Sequence, residues 1–483
     1  MMFIFVLMVY ITIGSYMEVK QFKFGHETGA IIIFGMGFSA IITFIKFDWL
    51  DLFEFNRSLF FEVFLPLIIF ATAFNMRRKK FFENITNVAK FGVFGTLITF
   101  IFYSALTYIF FYVYEQNGGL QAKYYFTSEG EEPKAPITFE LNLIKVMYVC
   151  SIFCSSDIIA AVTLVKFEDQ PKLFSIILGE GLFNDAVAII FYQTMKGIQK
   201  GVKSGVSVQT NNWMLYLTVI GNFFSLSLQS ILIGVFFGFA CSYITKVWRF
   251  YSHSAIAESG LFMCFALFGY FLSEVLELSG IVTLLTTSLI LSHYAFFNLS
   301  PQGKEVTYVT FQTLGYVSEA IVFGYIGVSA TYYFVKKPIC WEFILAEFII
   351  VIIGRFAGVY IAYYSFICFP GAKENLLSFA QLSFIAYAAL IRGSIAFGLI
   401  LGIGADLDSN NGTEMPIRDI MESSTCFLVI ITTLVFGSFT PLMQRCMLGK
   451  PKDPEEHEAI NTNNEAIPTN GPIDSHLRNT QAD

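Results

Sequence analysis

The sequence predicts an all-α polytopic membrane protein of about thirteen transmembrane helices, built as two inverted six-helix repeats. Three observations predict it. The 483 residues are 55% hydrophobic and only 14% charged, with a mean hydropathy of +0.62, whereas soluble domains carry about 25% charged residues. Apolar runs of membrane-spanning length follow one another along nearly the whole chain. Two of these runs are interrupted by small polar residues at the same ordinal place in each half.

A membrane helix needs about 20 mostly apolar residues. Such runs fall near 2–16, 28–46, 58–75, 88–115, 142–165, 173–196, 213–246, 256–275, 280–293, 305–333, 341–366, 377–404 and 424–447. The first could serve as a signal peptide. It lacks a basic n-region and a small-residue cleavage site, which favours a retained helix. The 280–293 run is short. The 213–246 run is long enough for one strongly tilted helix or for two pieces broken near Gly221 and Asn222.

Orientation follows from Lys and Arg in short loops. Arg77, Arg78, Lys79 and Lys80 follow the third run; Lys246 and Arg249 follow the seventh; Lys450 and Lys452 follow the thirteenth. Thirteen spans put all three clusters on one side, the cytoplasmic one. The N-terminus, the acidic loop at Glu129, Glu131 and Glu132, and the sequon Asn411-Gly412-Thr413 then lie on the other. The chain divides into a transmembrane domain over 1–448 and a short tail over 449–483. That tail is polar, without apolar periodicity, and is expected to be disordered and cytoplasmic.

Composition also excludes classes. No basic stretch suits nucleic acid. The eight Cys form no CxxC pair and the five His form no cluster, so neither zinc nor a redox motif is indicated. HExxH, Walker A and GxSxG patterns are absent. No enzyme and no cofactor are expected.

A charge at mid-bilayer costs roughly 2.5–3.5 kcal/mol on insertion scales. Several charges nevertheless gather at one depth. Asn184 and Asp185 sit at the midpoint of the sixth span, and Glu180 is one turn earlier on the same face. Arg355, Arg392 and Glu319 lie near the midpoints of the eleventh, twelfth and tenth, and Asp157 lies within about a turn of the centre of the fifth. Buried carboxylates balanced by two arginines point to an ion site; a purely structural ion network is the alternative. Cys154-Ser155-Ser156-Asp157 and Arg392-Gly393-Ser394 place small polar groups in mid-helix, which favours local unwinding. Interrupted helices in matching positions of two halves mark transporter sites. Close helix packing through small residues is the competing possibility.

These residues also carry a resemblance. Gly179-Glu180-Gly181-Leu182-Phe183-Asn184-Asp185-Ala186 resembles the ion-site helix of the eukaryotic sodium/proton exchangers, within the monovalent cation/proton antiporter superfamily. Leu65-Pro66-Leu67-Ile68-Ile69-Phe70, Phe81-Phe82-Glu83-Asn84, Leu278-Ser279-Gly280-Ile281, Phe323–Ser329 and Ile391–Phe397 are similar to further family signatures. The resemblance spans about 27–448. It implies thirteen helices in a dimerisation domain and a mobile core domain, a homodimer in membrane lipid, and exchange of Na⁺ or K⁺ for a proton by alternating access. It makes Asp185 the carboxylate that takes cation or proton in turn. Asn184 marks the electroneutral branch, and Asp157 is the acid of the unwound crossing helix. At such a site the side-chain oxygens of Asp157, Asn184 and Ser156 are expected to replace the water of a cation held at Asp185. Glu180 and Arg355 form a buried pair, with Arg392 and Glu319 in support. Gly181 is shared with plant vacuolar and some organellar members, which brings the chain closer to organellar or vacuolar-type members, and the location expected is the plasma membrane or an endosomal or vacuolar membrane. Ile158 departs from the family's Pro or Ser after the aspartate. Leu67 replaces a Pro, and the tail is shorter than the regulatory tails of animal plasma-membrane exchangers. The sequence names no cytoplasmic regulator.

Three rivals stand beside this reading. A channel would need a filter of carbonyls or charged rings, and none is visible. An intramembrane aspartyl enzyme could use Asp157 and Asp185, but no Gly-x-Gly-Asp motif occurs. A non-transporting receptor or scaffold of the same fold is the third.

Overall fold

The computed structural model describes residues 2–20, 25–45, 50–51, 53–76, 78–116, 119–126, 136–139, 141–157, 165, 170–203, 212–367, 377–403 and 417–449. Arg77, Glu129–Glu132, Ile158, the sequon at Asn411, Lys450, Lys452 and the tail lie outside the described residues. The chain is almost wholly helical. The membrane-scale helices are α1 (Met2–Lys20), α2 (Glu27–Ile45), α3 (Arg57–Phe74), α4 (Ile85–Glu115), α5 (Leu143–Phe153), α6 (Pro171–Lys203) and α7 (Asn212–Val247). They continue with α8 (Ala255–Val275), α9 (Gly280–His293), α10 (Pro301–Lys336), α11 (Trp341–Ile367), α12 (Phe379–Ala388), α13 (Ser394–Leu401) and α14 (Ile417–Leu448). A two-stranded hairpin, β1 (Leu120–Ala122) with β2 (Ile137–Phe139), lies between α4 and α5.

Among the described residues nine helices are long and apolar enough to cross a membrane. Shorter apolar helices supply the remaining crossings expected from the sequence. The seventh is one continuous helix, with no break at Gly221 and Asn222. The helix expected over 142–165 ends at Phe153, and the one expected over 377–404 is two pieces, α12 and α13. The first run forms α1, in which Val6 and Tyr10 are buried. As the odd spacer, α7 reverses the second six-segment unit relative to the first.

Helix starts follow local chemistry. Ser300 accepts from Gly303 N–H at 2.9 Å and Pro301 takes the first helical position of α10, the usual division of labour at an N-terminus. Glu258 of α8 fixes that cap by accepting from the Ser300 hydroxyl at 2.7 Å. Ser378 and Gln381 form a reciprocal capping box on α12.

The helices pack as two groups. α1–α3 and α7–α10 pack on one another, and α4–α6 pack with α11–α14. Within the first group α2 and α10 touch backbone to backbone. A Cβ on Gly327 would collide with the Ile32 carbonyl oxygen, so only glycine permits this approach. The second group holds both interrupted segments.

Candidate ion site at two crossing helix breaks

The site forms where the chain leaves α5 and where it passes from α12 to α13. Each break frees backbone groups that a helix would have satisfied. The two segments satisfy one another: Asp157 N–H donates to the Ile391 carbonyl at 2.8 Å, and Arg392 Nη1 donates to the Ser155 carbonyl at 2.6 Å. Arg392 thereby places a positive charge at the carbonyl end of α5, where the helix dipole favours it. Its Nη2 donates to the Tyr103 hydroxyl at 2.5 Å. Thr433 of α14 donates to the Arg392 carbonyl at 3.0 Å. Expected to balance a carboxylate, Arg392 is instead hydrogen-bonded to carbonyls and a phenol and braces the break.

Gly393 precedes α13. A Cβ there would lie 2.7 Å from Asp157 Cβ and 2.9 Å from its Oδ2. The Asp157 carboxylate therefore lies against the N-terminal end of α13, where the dipole favours an anion.

α6 supplies the facing wall. Asp185 Oδ1 accepts from the Ser155 hydroxyl at 2.6 Å. Beside it, Asn184 Nδ2 donates to Ser156 Oγ at 2.5 Å and Asn184 Oδ1 accepts from Thr96 of α4 at 2.7 Å. Asn184 and Ser156, expected among the cation ligands, are thus engaged with each other and with Thr96. Glu180 pairs with Arg355 Nη2, and the same nitrogen donates to Ser156 Oγ at 3.2 Å. Both members of that pair are sealed from solvent, at 1% and 0% exposure.

Asp185 and Asp157 stand apart in accessibility. They are partly exposed, while Ser155, Ser156, Glu180, Asn184, Arg355 and Arg392 around them are buried. The two aspartates interact electrostatically as like charges. Glu319 belongs to α10, in the other packing group, and acts electrostatically on Asp157 from there. The sequence sets it beside the core pair; the structure places it across the interface instead.

A cavity of about 620 Å³ opens between the two groups. Its walls include Arg57 and Glu62 of α3, Ile189 and Lys196 of α6, and Glu274 of α8. Ile189 is one helical turn beyond Asp185.

Thr96 and Tyr103 join the site without any motif that assigns them to it, while Ser155 and Gly393 come from the two polar interruptions. Thr96, Thr99, Tyr103 and Thr107 recur every three to four residues of α4, and all are at most 1% exposed. That polar stripe on an apolar helix is the available signal.

The comparisons with known proteins decide the family. The family model described as "Sodium/hydrogen exchanger, transmembrane" matches residues 4–445. The chain belongs to the sodium/hydrogen exchanger family. It is 27% identical over 459 residues to sodium/hydrogen exchanger 1 of Oryza sativa subsp. japonica, covering 92% of this chain and 78% of the relative. It is 26% identical over 424 residues to sodium/hydrogen exchanger 8 of Rattus norvegicus, covering 86% and 67%. The solved sodium proton antiporter of Methanocaldococcus jannaschii at pH 8 superposes with a TM-score of 0.61 at 15% identity, over 93% of this chain and 98% of that one. That likeness is one of fold, and this member of the exchanger family shares the helical membrane-protein architecture.

Proposed function

We propose that this multi-pass membrane protein is a cation/proton antiporter, a transporter and not an enzyme, in which Asp185 carries a monovalent cation and a proton in turn. One observation carries the reading: a partly exposed Asp185 accepts from Ser155 where the end of α5 crosses the α12–α13 break, and with Asp157 it is the accessible part of an otherwise buried polar cluster. A carboxylate at this depth is costly unless it is neutralised, and either a proton or a cation does so. Asp185, Asp157 and the Ser155 hydroxyl offer hard oxygen donors suited to Na⁺ or K⁺. Asn184, Ser156 and Thr96 hold α6 against the α5 break and set where those oxygens point.

Binding of the two ions is mutually exclusive because one carboxylate serves both. One cation then exchanges for one proton, and the exchange is electroneutral. An empty, charged Asp185 crosses poorly, which enforces coupling. The cavity at Ile189 provides access from the α6 C-terminal side, and movement of α4–α6 with α11–α14 against the other group closes it and opens the opposite side. The working unit is a homodimer in lipid, with the C-terminus cytoplasmic, at the plasma membrane or an endosomal or vacuolar membrane.

The test is reconstitution in proteoliposomes containing a pH dye. Imposed Na⁺ or K⁺ gradients are expected to drive proton movement. Clamping the membrane potential with valinomycin at matched K⁺ is expected to leave the Na⁺-driven rate unchanged. Absence of proton movement under both gradients defeats the proposal, and a clamp-sensitive rate defeats electroneutrality.

A further inference from the structure

We propose that Glu347 of α11 is a second proton-binding site in the same helix group, a carboxylic acid that keeps its proton while Asp185 exchanges its ligand; the transport consequence rests on the reading of Asp185 above.

Glu347 is fully buried, at 0% exposure. It lies two turns before Arg355 on α11, facing the polar stripe of α4. Its Oε1 accepts from the Thr107 hydroxyl at 2.7 Å. Its Oε2 is enclosed and has no hydrogen-bond partner among the described residues. It has no ion-pair partner there either.

Glu180 makes the contrast. Both carboxyl groups are sealed in the same helix group, but Glu180 has the Arg355 guanidinium against it. An isolated buried carboxylate is penalised far more heavily than a neutral acid, which needs only ordinary hydrogen bonds. One hydroxyl donor and one unmet oxygen suit the neutral acid.

The charged and titratable groups around it do not change this. From α5, Cys150 faces it. From the α12–α13 break, Arg392 acts on it only at a distance, being hydrogen-bonded to Ser155 and Tyr103. Tyr103 of α4 donates its own proton to the Val351 carbonyl. α14, packed on α11, carries Glu422, held by Arg418 at 2.6 Å, and Cys426. The titratable side chain of α12 is Tyr387, bonded to the Phe436 carbonyl.

The consequence is a charge balance. Glu180 is paired with Arg355, and the crossing holds one acid, Asp157, and one base, Arg392, which are equal in number although Arg392 is bonded to carbonyls and a phenol. With a proton on Glu347, these buried residues together carry no surplus charge when Asp185 is loaded. An ionised Glu347 would add one negative charge to every crossing.

Infrared spectroscopy of the reconstituted full chain tests this directly. The parent minus Glu347→Gln difference is expected to show a protonated-carboxyl carbonyl stretch at neutral pH, of equal intensity with and without saturating Na⁺. Thr107→Val, which retains the acid, is expected to shift that band because its carbonyl loses a hydrogen bond. Loss of carboxylate stretches instead of the carboxyl band overturns the proposal. An unshifted band in Thr107→Val overturns it too, and that variant decides the matter if Glu347→Gln does not fold. The Asp185 reading is tested separately: Asp185→Asn is expected to remove a different carboxyl band, the one that Na⁺ bleaches. Either result can fail without the other.

Discussion

Replacing Arg355 by Met should destabilise the protein sharply, and replacing both members of its pair should not. Arg355 is fully buried and its Nη2 contacts are Glu180 and Ser156. Its Nε and Nη1 have no hydrogen-bond partner among the described residues. Removing the guanidinium leaves the Glu180 carboxylate buried with no countercharge, a change worth about 3–5 kcal/mol. That is a factor of roughly 10² to 10⁴ in the folded-to-unfolded ratio. Glu180→Gln combined with Arg355→Met removes both charges, and such paired removal is often neutral or stabilising. The assay is equilibrium unfolding in mixed micelles, read as a double-mutant cycle. The expected coupling energy is at least about 2 kcal/mol. An Arg355→Met variant within about 1 kcal/mol of the parent, or an additive double variant, would refute the claim that Arg355 is the countercharge of the buried Glu180.

Other outcomes follow from the same geometry. Gly393→Ala brings a methyl to 2.7 Å from Asp157 Cβ; overpacking of this kind costs about 1–3 kcal/mol, and transport should fall while the protein still inserts, as checked by flux and by size-exclusion of the solubilised protein. Thr96→Val strands the buried Asn184 oxygen, for a loss of about 1–3 kcal/mol in unfolding free energy together with slower exchange. His26, just before α2, is 7% exposed, and its Nδ1 accepts from Thr28 N–H at 3.3 Å. Burial holds its imidazole down to about 4, so the fold favours the neutral ring. Its stability is full above the ordinary value of about 6.5 and falls as pH drops from there toward 4, by up to about 3 kcal/mol. His26→Gln should remove that part of the acid sensitivity in thermal melts taken between pH 4 and 7.

The sequence is most informative where one strong physical constraint acts on consecutive residues. Lipid demands long apolar runs, so α2, α8 and α11 are found almost to the residue. The breaks after Phe153 and at Arg392 are legible because Ser, Asp and Gly in mid-span weaken a continuous helix where lipid would otherwise enforce one. Contacts between distant segments are not legible in this way. Nothing near Asn184 announces that its oxygen belongs to Thr96, 88 residues earlier. Arg392 looks like a countercharge from its depth alone, and only the crossing shows that carbonyls of α5 occupy it. Glu319 shares the depth of Asp185 but sits on a helix of the other group, since depth along the membrane says nothing about position within its plane. Glu347 draws no notice in the sequence because it lies near the start of its span, where a carboxylate commonly reaches water.

The most direct measurement compares proton flux driven by a Na⁺ gradient in proteoliposomes containing the parent and Asp185→Asn, matched for protein content and orientation. Asp185→Asn keeps the size of the side chain and removes only the charge and the exchangeable proton. If Asp185 carries both ions, flux should fall to the level of protein-free liposomes while α6 remains folded. Parent-like flux from Asp185→Asn would contradict the claim.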